Sequence, residues 1–224
     1  DYFDLCGEPL WMRQMIDKHE AAAKASGARI VFSCGFDSVP FELGAFCVQE
    51  EARRVFGAPA SRVKGRVRDM RGTLSGGTAA SAKATFEAVA KDLSLVAMLK
   101  DPFALTPGFK GPKQPPGSRP AYEEDLQSWS APFMMALINT RNVHRSNMLM
   151  GFPYGKEFVY DEMVLTGAGE RGEANARLVM AANTEKTGPN APRPGEGPSK
   201  EEREAGHYDL LASEARLTSF LAIA

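Results

Sequence analysis

The pattern that most narrows the fold is a strand, a helix and a second strand at the start of the chain. Residues 2–6, YFDLC, are short, apolar and partly alternating. Glu8 and Pro9 follow, and a proline costs nothing in the first turn of a helix, where its missing N–H would have no partner. Trp11, Met15, Ile16, Ala22 and Ala23 lay an apolar stripe at helical spacing. Gly27 supplies the left-handed residue on which helices commonly end. RIVFS (29–33) is then a nearly continuous apolar run, of the kind buried on both faces in a parallel sheet. A second helix is expected from Val39 to Phe56, stopped by Gly57. Two strands joined this way run parallel through a right-handed crossover. They finish at the same edge of the sheet, so Cys6-Gly7 and Cys34-Gly35 should meet along one rim. In open α/β sheets that rim is where ligands bind.

Beyond residue 57 the pattern changes. RVKGRVRDM (62–70) alternates apolar and basic residues, as a half-exposed strand does. SGGT (75–78) leads into a helix expected over 79–99. Residues 101–121 hold six prolines and three glycines, which predicts a lid or a disordered loop. APFMMALINTRNVHRSNMLM (131–150) is apolar with a polar centre, and EFVYDEMVL (157–165) alternates like a strand of an antiparallel sheet. A helix follows over 172–185, then a second Pro/Gly/charged loop over 186–206. HYDLLAS and ARLTSFLAIA suggest a closing hairpin. The expected class is α/β: the remainder of a Rossmann-type parallel sheet over 1–57, then an α+β substrate and dimerisation domain with a mixed or antiparallel sheet over 58–224, incomplete at its C-terminus.

Lys and Arg number 27 against 28 Asp and Glu, so a net charge of -1 gives no electrostatic reason to expect nucleic acid or an anionic membrane. No apolar stretch is long enough for a spanning helix, and no signal peptide is visible. Three cysteines without a CxxC pair fit a reducing compartment, and three scattered histidines share no ligand spacing, so no metal is expected. The chain opens on DYFDLCGE, a strand already under way, and closes on LTSFLAIA. The expectation is a fragment of a longer protein.

Three stretches could carry chemistry. In CGFDSVP (34–40), Gly35 allows a sharp turn, Asp37 or Ser38 could cap the next helix, and Pro40 sits in its first turn. Such a helix start favours an anionic or electron-rich group, yet the same residues also make an ordinary helix start. Ser75, Gly76, Gly77 and Thr78 could form an oxyanion or phosphate cradle, or only a glycine turn; they lack the spacing and lysine of a P-loop. Arg141 and Arg145, with His144, are cations in an apolar context that need partners, either substrate carboxylates or nearby Asp and Glu. Met134, Met135, Met148 and Met150 could line a pocket for a greasy ligand or belong to the core. No GxGxxG, nucleophile elbow or metal motif occurs.

Residues 4–46, from DLCGEPLWM to ELGAF, together with LSGGTAAS, APFMMALINTRNVHRSN, PYGKEFVYDEMVL and GEGPSKEER, resemble the saccharopine dehydrogenase-like oxidoreductases. The branch they resemble holds NAD(P)-binding members and the trans-acting enoyl reductases of mycobacterial lipid synthesis. CGFDSVP corresponds there to an acid-containing turn after a buried strand. The resemblance implies a Rossmann domain with a glycine-rich dinucleotide loop, then an α/β domain that covers the nicotinamide crevice and helps form homodimers. The glycine loop is absent from these residues, so the fragment alone is expected to be inactive and not to hold NADP or NAD tightly. By carry-over, Asp4, Leu5, Cys6, Gly7, Gly35 and Phe36 would flank the nicotinamide, with Asp37 and Cys34 the first catalytic candidates, and SGGT would face the same crevice. The implied activity is hydride transfer to or from a carbonyl, imine or activated alkene of a small-molecule or acyl substrate, in a cytoplasmic protein or one peripheral to a membrane. A trans-acting enoyl reductase and a non-enzymatic Rossmann-related scaffold that binds a partner or lipid are the alternatives. Ser38-Val39 stands where true saccharopine reductases have Pro-Gly, which argues against lysine-pathway chemistry.

Overall fold

The computed structural model describes residues 1–73, 75–185, 192–214 and 221–223. Strand β1 (Tyr2–Phe3), helix α1 (Pro9–Ser26) and strand β2 (Ile30–Val31) form the expected parallel crossover, with Tyr2 beside Ile30 and Phe3 beside Val31. Pro9 opens α1, and Gly27 ends it at φ 71°. The strands are shorter than the apolar runs that contain them, and all four residues are exposed. This corrects the expectation of a second strand buried on both faces. No third strand stands beside the pair among the described residues, and the packing lies just beyond the strands. There Cys6 and Phe32 rest on a cluster of Met12, Ile16, Leu105 and Ile138.

Helix α2 (Val39–Phe56) runs as the sequence predicts and ends on Gly57 at φ 68°. The chain continues through β3 (Arg62–Arg71), α3 (Gly76–Lys91), α4 (Leu95–Lys100), β4 (Ala121–Glu123), β5 (Ser128–Pro132), α5 (Ala136–Leu149), β6 (Val159–Gly167), α6 (Gly169–Glu185), α7 (Lys200–Glu204), β7 (His207–Ser213) and β8 (Leu221–Ile223). The strands form a mixed six-stranded sheet in the order β4-β5-β6-β3-β7-β8. β3 and β6 are parallel; every other neighbouring pair is antiparallel. The protein is α/β, with a Rossmann-like parallel unit and a mixed sheet. α2 and α5 pack on one face of that sheet: Ala45, Val48 and Ala52 meet Val63, Val143, Phe158 and Tyr160, while Phe41 meets Val67, Phe133 and Leu210. Residues assigned to the first expected domain thus contribute directly to the second sheet's core.

Several expectations change for local reasons. The helix expected over 79–99 breaks at Asp92, whose carboxylate accepts from the Ser94 backbone N–H at 2.9 Å and turns the chain before α4. The proline-rich segment is not a free lid: Phe103, Ala104 and Leu105 are buried, and the Gln114 side chain donates to Phe158 O and accepts from Tyr160 N. β6 is antiparallel to β5 but parallel to β3, because alternation reports which face is buried and not strand direction. β5 was not anticipated. Neither was α7, which a capping box between Ser199 and Glu202 starts. Within the expected closing hairpin, β7 and β8 pair with Leu210 opposite Ile223. Residues 186–191 of the expected second loop and 215–220 of the hairpin lie outside the described residues.

Arg62 and Arg68 of β3 face water as expected, but the two bases between them do not. Arg66 is only 2% exposed, with Nε 2.6 Å from Glu123 Oε1 and Nη2 2.6 Å from Asp161 Oδ2. Its Nη1 donates to the carbonyls of Gly65 and Asp161. Lys64 pairs with Glu123 and Asp125. β4 and the turn after it bring Glu123 and Asp125 over the sheet and the neighbouring β6 supplies Asp161, so each guanidinium nitrogen exchanges water for a protein acceptor. On the opposite side of β3, Val63, Gly65 and Val67 face the helices.

Candidate active site

The two corners after β1 and β2 lie side by side. Cys34 N donates to Asp4 O at 2.7 Å, and Asp4 Oδ1 accepts from Cys6 N at 3.0 Å and from Ser33 N at 3.2 Å. Ser33 Oγ donates to Cys6 O at 2.6 Å. One carboxylate and one hydroxyl therefore tie both turns into a single rim. Ser33 itself takes a left-handed conformation, φ 56°, rare for a residue with a side chain. Asp4 Oδ2 is buried with no hydrogen bond of ordinary geometry, and the Tyr2 hydroxyl is the group that interacts with this carboxylate. Leu5 and Phe36 stand exposed on either flank.

Gly35 leaves room for the Asp37 side chain. A Cβ there would lie 2.5 Å from Asp37 Oδ1 and 3.6 Å from Leu5 Cδ2. The Asp37 carboxyl thus folds back over one corner while Leu5 of the other leans on it. Ser38 is the residue before α2 and makes no side-chain cap; the hydrogen bond to the Asp37 carboxylate comes from that residue's own backbone. Burial raises the Asp37 pKa above the usual carboxylate range, opposed by that hydrogen bond. The neighbouring thiols differ in their surroundings. Burial, with the Glu8 carboxylate 3.0 Å from Sγ, pushes Cys6 up to about 12, so it stays a thiol at neutral pH. Cys34 Sγ lies 3.6 Å from Val31 O.

The start of α5 closes the rim from the sheet side. A Cβ on Gly7 would come within 4.0 Å of Ile138, and Asn139 Nδ2 donates to Asp37 O at 2.9 Å. Beneath it lies a polar group that the sequence did not single out. Glu162, 1% exposed, accepts from Asn139 Nδ2 at 3.0 Å and from Tyr160 Oη at 2.9 Å. Burial lifts its pKa to about 8, opposed by the bonds from Asn139 and Tyr160 and by the Arg66 charge, and aided by Glu42. Burial likewise raises Glu42. The Tyr208 ring packs edge-on against Phe36 and Phe41, with centroids 6.2 and 5.9 Å away. Its hydroxyl is buried without a partner, and burial, together with the charges of Glu162 and Asp37, keeps it protonated. A signal for Glu162 was present: Tyr160, Glu162 and Val164 share the inward parity of an alternating strand, which places a carboxylate in the core.

The structure thus brings Asp4, Leu5, Cys6, Gly7, Cys34, Gly35, Phe36 and Asp37 together. The other candidates are engaged by groups of the protein itself. At the N-terminus of α3, Ser75 Oγ accepts from Thr78 N, Gly76 N donates to Glu196 O at 2.8 Å, and a Cβ on Gly76 would run into Arg193 O. Gly77 follows in the same turn. Arg141 donates to the carbonyls of Leu137 and Leu99, and burial lowers its pKa to about 10. Arg145 donates to Leu105 O at 2.9 Å and lines a groove of about 480 Å³ with Trp11, Ile16 and Phe32. Met135 packs on the core clusters.

In open α/β sheets ligands bind outside the carboxyl ends of the strands, which is where this rim lies. Comparison with known proteins finds similar sequences. The chain is 35% identical over 238 residues to a protein provisionally named a trans-acting enoyl reductase in Mycobacterium tuberculosis, a match covering 94% of this chain and 56% of that relative. It is 31% identical to a trans-acting enoyl reductase of Mycobacterium ulcerans and 28% identical to one of Mycobacterium leprae, each over 93% of this chain and 56% of the relative. The chain therefore spans about half the length of the curated relatives it matches. No family model and no solved structure matches it. No described helix is long and apolar enough to cross a membrane.

Proposed function

We propose that this chain forms the nicotinamide-facing wall and substrate-side sheet of an NAD(P)-dependent reductase whose acceptor is an activated alkene, an enoyl thioester. The adjacency of the two corners carries the reading, because it sets a buried acceptor, Asp4 Oδ2, without a hydrogen bond of ordinary geometry on a rim flanked by apolar side chains. A nicotinamide suits these residues: its carboxamide N–H can donate to Asp4 Oδ2, Gly7 lets a flat ring approach the backbone, and Leu5 and Phe36 would shield it from water. When bound, the reduced ring supplies a hydride. Asp37 would hold the proton that the reduced alkene takes at its second carbon, on a carboxyl that burial already biases toward its protonated form. Cys34 borders the same space. The relatives' names favour the enoyl acceptor over a carbonyl or imine.

The test uses the full-length protein. Titration with NADPH and NADH should show saturable binding, and enoyl thioesters should be reduced with loss of nicotinamide absorbance. Asp37→Asn should lower turnover by about 10²-fold or more with binding unchanged. Absence of nucleotide binding would overturn the reading in favour of a scaffold, and unchanged kinetics would remove Asp37 from it.

A further inference from the structure

A backbone carbonyl can only accept a hydrogen bond, so the Asn139 side-chain atom that faces Asp37 O is nitrogen. The same Nδ2 reaches Glu162 Oε2 at 3.0 Å. Both of its hydrogens are thereby used, while Asn139 Oδ1 is left buried with no partner. An unpaired buried acceptor is destabilising, because it gives up its hydrogen bond to water and gains none. The carboxamide bears that cost because turning round would set Oδ1 against the Asp37 carbonyl and leave the turn without its donor. Glu162 is held in turn by Tyr160 Oη at its other oxygen, and the missing side chain of Gly65 makes the room: a Cβ there would lie 3.0 Å from Tyr160 Oη and 3.1 Å from Glu162 Cγ. A path of contacts thus runs from a central strand of the sheet, through Glu162 and Asn139, to the backbone of the turn that carries Asp37.

We propose that Asn139 and Glu162 are positioning residues: Glu162 sets the Asn139 carboxamide, and the carboxamide fixes the Asp37 turn at the mouth of the crevice. This rests on the reading of Asp37 as proton donor for its kinetic consequence, but the brace itself can be observed without turnover. Ser38 N and Val39 N both donate to Gly35 O, and these are the amides that a loosened turn exposes.

The test measures hydrogen exchange and steady-state kinetics on the full-length protein. Asn139→Leu, which keeps the volume and removes the donor, should speed deuterium uptake over residues 35–39. It should lower kcat by about 10²-fold, the scale of a misplaced catalytic group, with nucleotide affinity unchanged. Glu162→Gln retains an oxygen for Asn139 and should behave like the native protein in both measurements, whereas Glu162→Met should reproduce Asn139→Leu. This pair also decides the matter if Asn139→Leu does not fold. Unchanged exchange in Asn139→Leu, or equal damage from Gln and Met at position 162, overturns the brace. Faster exchange with native kcat overturns its catalytic role. Native kcat in Asp37→Asn, by contrast, brings down the proton-donor reading on which that role depends.

Discussion

Replacing Glu162 by Gln should abolish a loss of stability that the native protein suffers as pH rises from about 5 to 8. In the unfolded chain this carboxyl ionises like any glutamate, near 4.5, whereas in the fold burial holds its proton until about 8. Between those values the native state binds more protons than the unfolded state, so stability falls with rising pH. It is greatest below the unfolded value and levels off above the folded one. At about 1.4 kcal/mol per decade the full interval corresponds to roughly 5 kcal/mol, and the part traversed by pH 7 to roughly 3 kcal/mol. These are large fractions of the 5–15 kcal/mol that typically separates folded from unfolded states. Asn139 and Tyr160 already donate to the carboxylate, and Arg66 already favours its charge, so the raised value is what remains after those compensations. Urea unfolding at a series of pH values, read by far-UV circular dichroism, gives the two stability curves. The Gln variant should gain steadily on the native protein from pH 5 to 8 and then run parallel to it. Curves parallel across the whole interval would refute the reasoning, since they would mean that water or a structural shift solvates the ionised carboxylate.

Arg66→Met should destabilise the fold by about 3–5 kcal/mol, because Glu123 and Asp161 would remain buried without their shared cation; a smaller loss in the same unfolding assay when Glu123→Gln is added would confirm the coupling. Gly65→Ala should cost about 1–3 kcal/mol, since the new Cβ would stand 2.9 Å from Phe41 and 3.0 Å from Tyr160 Oη. The midpoint of thermal unfolding checks it, and an unchanged midpoint would show that Phe41 yields.

Local sequence determined the first two helices and their ends. Pro9 and Gly27 bracket α1, and Gly57 stops α2, because a missing donor and a left-handed residue act within one turn whatever lies around them. The parallel crossover was also legible, since a helix between two apolar runs leaves little topological choice. Other features depended on what the fold brings close. The tie between Asp4 and Ser33 spans 29 residues and that between Asn139 and Asp37 spans 102, so no local pattern could announce either. Arg66 read as a solvent-facing base until β4 and β6 delivered Glu123 and Asp161 to it, and Glu162 read as one more polar residue in an alternating strand. The sequence alone set where the chain turns and which faces are apolar, through steric and hydrophobic terms local in range. Only the tertiary structure decided which buried charges are neutralised and which corners share a rim, because electrostatic and hydrogen-bond terms depend on distance in space and not along the chain.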